Sequence, residues 1–387
     1  MSSLRLPPLS LYVHIPWCVR KCPYCDFNSH TNNGDALPEN DYVDALLADL
    51  ATEASSEKLQ GRQLVSIFFG GGTPSLFSAA AIARILDGAE QLIGFAPAIE
   101  ITLEANPGTV EQQKFRGFRE AGVNRLSIGI QSFNDAHLER LGRIHNGAEA
   151  LSAIRIARQA GFDNINLDLM HGLPEQTPEQ AIADLQQAID LQPEHLSWYQ
   201  LTIEPNTAFH SHPPLLPVEN TLERIQSRGH KLLDSAGFSA YEISAYARPQ
   251  RQSQHNCNYW QFGDYLGIGA GAHGKITDIS GQKILRTRKT RQPNDYLSRL
   301  SKGDDYLAEQ FSLQAAELPL EFLMNALRLK EGVPAALFTE RTAIPLKTIA
   351  THWQSLEAKH LVEPLSTGWL RCTALGHRFL DSILAEF

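Results

Sequence analysis

LYVHIPWCVRKCPYCDF, residues 11–27, joins an apolar run to a loop that carries Cys18, Cys22 and Cys25. Aromatic and β-branched residues closed by a proline read as a strand buried on both faces. The three thiols therefore follow the C-terminal end of that strand. The whole chain has only five cysteines, so the clustering marks this loop as a chemical site. Thiolates are soft ligands that suit zinc or an iron–sulfur cluster. A closed structural zinc needs a fourth protein ligand, which His14 or His30 would have to supply, and zinc ribbons present their ligands as two separated pairs. A [4Fe–4S] cluster held by three thiolates instead keeps one iron open to a ligand.

Outward from this stretch, five further runs read as buried strands: LVSIFFGG (64–71), EITLEANP (100–107), RLSIGIQS (125–132), NINLDLMHGLP (164–174) and HLSWYQLTIEP (195–205). Between them apolar residues recur at helical spacing, as at Val43, Leu46, Leu47 and Leu50 and at Ile182, Leu185 and Ile189. Alternating strands and helices predict parallel pairing with right-handed crossovers. Each strand ends in polar chemistry: the cysteine loop, GGGTPS, Glu104 with Asn106, Gln131, Asp168 with His171, and Glu204. A doubly wound sheet brings only the loops near its switch point to a ligand, whereas a barrel turns every strand end toward one mouth. The expected fold is an α/β partial (β/α) barrel.

The cysteine spacing followed by GGGTPS resembles the radical S-adenosylmethionine (SAM) superfamily. With EANPGT, SIGIQSF, LGRIH, NLDLMHGLP and LTIEPNT in this order, the sequence is similar to the oxygen-independent coproporphyrinogen III oxidase family, and within it to the HemW heme-chaperone branch. The resemblance runs from about Leu11 to the C-terminus and implies a radical-SAM barrel. It implies that Cys18, Cys22 and Cys25 bind three irons of a [4Fe–4S] cluster and that SAM chelates the fourth. Gly71 and Gly72 would let backbone approach SAM, and the Arg143 fork would take its carboxylate. Glu104, Gln131 and Asp168 would meet its ribose hydroxyls and ammonium; Tyr12, Thr73, Thr202 and His273 would complete the contacts, with His273 on the adenine side.

HNCNYW (255–260) resembles the HNxxYW element of the heme-chaperone branch, which implies heme bound through His255 with Tyr259 and Trp260 stacking on it. A neutral imidazole is a good axial ligand. An isolated histidine among aromatics is also compatible with ordinary packing, and Cys257 offers a competing soft ligand. The nearby run GIGAG does not open a first βαβ unit, so it is not read as a dinucleotide fingerprint. Phe27 stands where the oxidase branch has a further cysteine, and about ten residues precede the first strand where that branch has a longer extension. These departures favour a heme carrier over coproporphyrinogen III decarboxylation.

With 43% hydrophobic and 20% charged residues in 387, the chain is long enough for a barrel and a smaller unit. A net charge of −9 without a long basic run speaks against nucleic acid, and no apolar stretch suits a membrane span. A cytoplasmic location is expected, with a heme-accepting protein and an electron-donor protein as partners. The expected division is a tail (1–9), the barrel (10–245), a family-specific segment (246–300) and a winged-helix-like α+β domain (301–387). In the last, Leu346, Ile349, Trp353 and Leu356 mark a helix, HLVEPLSTGWLRCT a hairpin turning at Ser-Thr-Gly with Cys372 in the core, and Leu375, Phe379 and Ile383 a closing helix. Residues 305–387 carry seven Lys and Arg against ten Asp and Glu, which favours a lid or protein-docking module over a DNA reader.

Overall fold

The computed structural model describes residues 3–32 and 36–387; Met1 and Ser2 of the expected tail lie outside them. Twelve strands form one mixed sheet: β1 (Leu9–Ile15), β2 (Leu64–Gly71), β3 (Phe95–Ala105), β4 (Arg125–Gln131), β5 (Ile165–His171), β6 (His195–Gln200), β7 (Ser239–Ala240), β8 (Ala245–Ala247), β9 (Asp264–Ile268), β10 (His273–Asp278), β11 (Lys283–Lys289) and β12 (Leu307–Ser312). Their order is β12-β11-β10-β9-β1-β2-β3-β4-β5-β6-β8-β7. β1 to β6 pair in parallel in chain order, and β9 adds in parallel to the free side of β1.

All six expected strands are present. β9 is a seventh parallel strand inside the segment that the sequence reading set apart as family-specific, and close chain approach explains its glycine. A Cβ on Gly267 would stand 2.0 Å from the His273 carbonyl oxygen, so β9 and β10 need glycine at their crossing.

Helices α1 (Glu39–Ala54), α2 (Ala79–Leu92), α3 (Gly147–Gln159), α4 (Pro178–Asp190) and α5 (Glu219–Ser235) alternate with the parallel strands. Their starts are written locally: Ser78 caps α2, while Asn146 with Glu149 and Thr177 with Gln180 form capping boxes on α3 and α4. One face of each strand carries the main core, where Val13, Phe69, Leu103, Ile128 and Leu167 join Leu46, Ile85, Ile154 and Leu185 of the helices. Each such side chain contributes about 1.5–3 kcal/mol on full burial.

Because side chains alternate along a strand, the residues between these share the other face, which is polar. Register aligns Glu104 with Ser127, Ser127 with Asn166, and Gly129 with Asp168 and Ser197. Hydrogen bonds then run across the strands, from Asn166 Nδ2 to Ser127 Oγ (2.8 Å), from Ser127 Oγ to Asp168 Oδ2 (3.0 Å) and from Ser197 Oγ to Asn166 Oδ1 (3.1 Å).

Helices α6 (Gln254–Trp260), α7 (Pro293–Lys302), α8 (Leu318–Ala326), α9 (Ala335–Thr342) and α10 (Lys347–Ala358) follow. A second core joins Phe322, Leu323, Phe338, Ile349, Trp353 and Leu356 to Ala245, Phe262 and Ile284 of the sheet region. The expected helix around Trp353 is α10. The expected hairpin is reduced to a Val362–Cys372 bridge around a 3₁₀ turn at Leu365–Thr367, and Trp369–Leu370 pairs with Val333–Pro334 instead. The closing helix is two five-residue pieces meeting at Phe379, with Ile383 buried but Leu375 and Phe379 exposed.

The α1 side of the barrel is locked to β11 by a buried cation. Lys289 Nζ lies 2.6 Å from Asp49 Oδ1 and 2.5 Å from Glu53 Oε1, with Lys289 and Asp49 both 1% exposed, and Tyr296 Oη donates to Asp49 Oδ2 at 2.7 Å. Removing one member of a buried ion network leaves uncompensated charge. Lys289→Ala is expected to lower unfolding stability by about 3–5 kcal/mol in urea titrations, and a loss below about 1 kcal/mol would mean that solvent or rearrangement neutralises the two acids.

Candidate functional site

Two cavities open at the strand ends. The smaller, of about 360 Å³, is lined by Cys18, Cys22 and Cys25 together with Gly71, Gly72, Thr73, Glu104, Gln131, Arg143 and Asp168. The cysteine loop, β2, β3, β4, β5 and the segment before α3 thus all reach one space, as a curved sheet requires. All three cysteines are free and half-buried. His14 and His30, the candidates for a fourth zinc ligand, are engaged elsewhere: His14 meets Tyr12 Oη (3.0 Å) and the Asn28 carbonyl (2.9 Å), and His30 meets Asn28 Oδ1 (3.3 Å). Among the described residues no three His, Cys, Asp or Glu side chains gather as a single-ion site.

The glycines serve chain packing first. A Cβ on Gly71, whose φ is +113°, would stand 2.5 Å from the His14 ring, and one on Gly72 would stand 2.5 Å from the Trp17 carbonyl oxygen. Gly72 N donates to Ile15 O and Thr73 N to Trp17 O, both at 2.8 Å, so the end of β2 holds the entry to the cysteine loop.

From there polar contacts connect two of the cysteines. Thr73 Oγ1 donates to Cys18 Sγ at 3.5 Å and receives Asn106 Nδ2 at 3.1 Å; Asn106 Oδ1 accepts from Arg143 Nη2 at 2.6 Å, and Arg143 Nη1 reaches Cys22 Sγ at 3.6 Å. Arg143 Nη2 also donates to the Gly129 carbonyl at 2.8 Å. Both ends of the guanidinium fork are therefore committed, and Nε is its one nitrogen without a protein partner among the described residues. The fork expected to take the SAM carboxylate is thus engaged with protein partners at both ends. Gly142, at φ +68°, brings the turn before Arg143 onto Pro23, from which a Cβ would stand 2.8 Å.

Gln131 ends β4 at a register shift with φ +68°, a strained value for a non-glycine residue, and Tyr199 Oη donates to its Oε1 at 2.9 Å. Asp168 accepts from Asn166 and Ser127, and burial raises its carboxyl above the usual range. Glu104 is pushed up to about 8, first by its enclosure and next by the charge of Asp168, against a backbone N–H from Gly71.

Sequence reading passed over Asn106 as a ligand-side residue and missed Tyr24, Tyr199, Ser127 and Ser197, which line the same space. Strand alternation was the available signal, since Ser127, Gly129 and Gln131, and Ser197 and Tyr199, share faces. Thr202 is exposed past the end of β6 and does not line the cavity.

The larger cavity, of about 780 Å³, takes Tyr12 and His273 from the expected SAM set and adds Phe68, His255, Tyr259, Tyr265, Arg288 and Arg291. On α6, His255 and Tyr259 are four residues apart and share the face toward this space. Cys257 and Trp260 pack instead against the second core, with Arg328 4.3 Å from the Trp260 ring, so neither lines the cavity. Helical phase separates Trp260 from the stacking role expected of it.

His255 Nδ1 lies 3.0 Å from Ser66 Oγ, and Nε2 has no protein partner among the described residues. Burial pulls its imidazole down to about 3, so it is neutral at physiological pH. Phe68 and Tyr259, with ring centroids 5.1 and 4.8 Å away, cover it. Nε2 is itself buried from solvent.

A domain model of the radical SAM superfamily matches residues 12–188, and one of the HemN C-terminal domain matches residues 313–379. Proteins named heme chaperone HemW are similar along the whole chain: that of Haemophilus influenzae is 51% identical, covering 99% of this chain and 98% of its own, and that of Escherichia coli is 50% identical, covering 99% of each. The mouse mitochondrial radical S-adenosyl methionine domain-containing protein 1 is 35% identical over 99% of this chain and 90% of its own. The solved coproporphyrinogen III oxidase (HemN) of Escherichia coli superposes with a TM-score of 0.82 at 23% identity, covering 98% of this chain and 90% of that one, which is a likeness of fold. The chain belongs to the radical SAM superfamily, among the relatives named heme chaperone HemW. Membership implies a [4Fe–4S] cluster and SAM as the family's cofactors. Among the described residues no helix is long and apolar enough to cross a membrane.

The charge of the smaller cavity yields a test. With a pKa of about 8, Glu104 is largely protonated at pH 7. A cationic ligand favours the carboxylate, so binding expels the proton, and affinity rises as pH climbs through about 8 and weakens below it. Calorimetry of SAM binding at pH 7 in buffers of different ionisation heat is expected to register release of up to about one proton, abolished in Glu104→Gln. Equal proton release in that variant would assign the titration to another group.

Proposed function

We propose that this chain is a heme carrier of the radical SAM type: it binds heme in the larger cavity and passes it to an acceptor protein. The observation that carries this reading is a second cavity, distinct from the cysteine-lined one, with a neutral histidine beneath an aromatic lining. At about 780 Å³ it falls within the roughly 300–1,000 Å³ range of small-molecule and cofactor sites. The name carried by the similar bacterial proteins supports the same reading.

In this proposal Cys18, Cys22 and Cys25 hold the [4Fe–4S] cluster, and an electron-donor protein reduces it. The residues present fit that group and SAM: three thiols without a fourth converge on a space whose acids, Glu104 and Asp168, suit the ligand's cationic end. When bound, cluster and SAM supply one-electron chemistry; heme binding rests on the other cavity. Arg143 keeps its bonds to Asn106 and Gly129 and orients the cysteine loop, with Nε left to face a carboxylate. The ligating form of His255 is the tautomer in which Nδ1–H donates to Ser66 Oγ and Nε2 carries the lone pair.

Anaerobically reconstituted protein is the material for the test. His255→Ala is expected to reduce heme uptake at least about tenfold while leaving cluster iron unchanged, because separate side chains serve the two sites. Serine at positions 18, 22 and 25 is expected to do the reverse. Heme uptake that survives His255→Ala but fails in His273→Ala moves the ligation to the rim of the cavity. Enzyme-like conversion of coproporphyrinogen III to protoporphyrinogen IX by the wild-type chain would overturn the carrier reading.

A further inference from the structure

The larger cavity is polarised along its depth. Its inner part holds Phe68, Tyr259 and the 1%-exposed His255, while its outer part holds Arg288 and Arg291, both exposed to solvent. Arg288 leaves β11 opposite His273 of β10 and makes a half-exposed ion pair with Glu309 of β12 at 3.1 Å. A pair so placed contributes little to stability. Arg291 follows two residues after the end of β11, and its Nε donates to Asn28 Oδ1 at 3.3 Å. Both guanidinium groups are thus at the mouth with weak local claims on them. Lys289, between them in sequence, is different: it lines the cavity but its ammonium is consumed by Asp49 and Glu53.

A guanidinium binds a carboxylate through two parallel hydrogen bonds and holds its charge throughout the physiological range. Two of them at the open end of an aromatic space suit a flat apolar ligand whose two carboxylates remain at the surface. We propose that Arg288 and Arg291 are the carboxylate-reading residues of this cavity, and that it selects a tetrapyrrole as its free dicarboxylate, oriented with the carboxylate edge toward solvent. The proposal rests on the heme-carrier reading and adds to it an orientation and a chemical requirement. Asp26, at the same cavity, is an acid that opposes a nearby carboxylate, so Arg288 and Arg291 supply the charge that favours one. Such an orientation leaves the macrocycle's apolar edge innermost and presents its charged edge to a partner.

The experiment compares heme with heme dimethyl ester in detergent-matched absorbance titrations of the full chain, as wild type and as Arg288→Gln/Arg291→Gln. Both arginines are exposed, so the variant is expected to keep the wild-type far-ultraviolet dichroism and melting temperature. Wild type is expected to bind heme at least about tenfold more tightly than the ester, and the double variant is expected to bring that ratio to about one by weakening heme alone. Equal binding of heme and ester by the wild type overturns the carboxylate clamp while the carrier reading stands. Preference for heme that persists in the double variant also overturns the assignment to these arginines. Failure of the wild type to bind heme at all overturns both readings together.

Discussion

The end of β2 and the end of β1 approach more closely than any side chain at Gly71 or Gly72 would permit. That contact organises the cysteine site. Because Gly72 and Thr73 give their N–H groups to the Ile15 and Trp17 carbonyls, the chain leaves β1 in a fixed direction and presents Cys18 to Thr73. Thr73 in turn fixes Asn106 at the end of β3, and Asn106 fixes Arg143 against Cys22. Four segments distant in sequence are tied by one short series of hydrogen bonds. Such a network is cooperative in its geometry: a residue displaced from it leaves the next donor or acceptor unsatisfied in an enclosed space.

The interior of the barrel makes this arrangement possible. A small barrel is usually filled by branched apolar side chains, but here the inward row holds Glu104 beside Ser127, Asn166, Asp168 and Ser197, the last four bonded to one another across strands. The apolar stabilisation is moved to the outer face, where helices α1 to α5 cover the sheet. Polar groups are affordable inside because their partners are other strand residues in register. The cost falls on Glu104 and Asp168, whose carboxyls rise in pKa for lack of solvent and, for Glu104, from its neighbour's charge. Such acids are poised to respond to a cation entering the cavity.

Much of this was legible in the sequence, for identifiable reasons. Six strands announced themselves because buried branched and aromatic residues recur along each of them, and polar strand ends located the mouth. The seventh, β9, was hidden because the same glycine that permits β9 and β10 to meet weakens the strand pattern. Seven of the residues singled out for SAM, among them Gly71, Glu104, Gln131, Arg143 and Asp168, line one cavity with the three cysteines, since strand ends on one side of a curved sheet turn toward a common mouth. Tyr12 and His273 were harder to assign because strand position does not say which of two adjoining cavities a side chain enters. Trp260 was misplaced for a simpler reason: five residues from His255 on a helix carries a side chain off the face that Tyr259, at four, shares. The burial of His255 and the committed state of the Arg143 fork depend on partners far away in sequence, which spacing does not encode.

The two cavities share a wall at Gly70. A Cβ there would lie 3.0 Å from the Tyr12 ring and 3.1 Å from the Phe68 ring, which face the larger space, and 3.3 Å from Glu104 Oε2, which faces the smaller. One residue without a side chain therefore separates an aromatic lining from an acid whose protonation follows the charge beside it. Tyr12 already senses that acid, since Glu104 adds to the rise in its hydroxyl pKa caused by burial. The Glu104 carboxyl and the Tyr12 and Phe68 rings consequently pack around the same few ångströms of strand. Phe68 is also part of the cover over His255. Phe68, packed against the neutral His255, thus also meets the strand end whose other side faces Glu104.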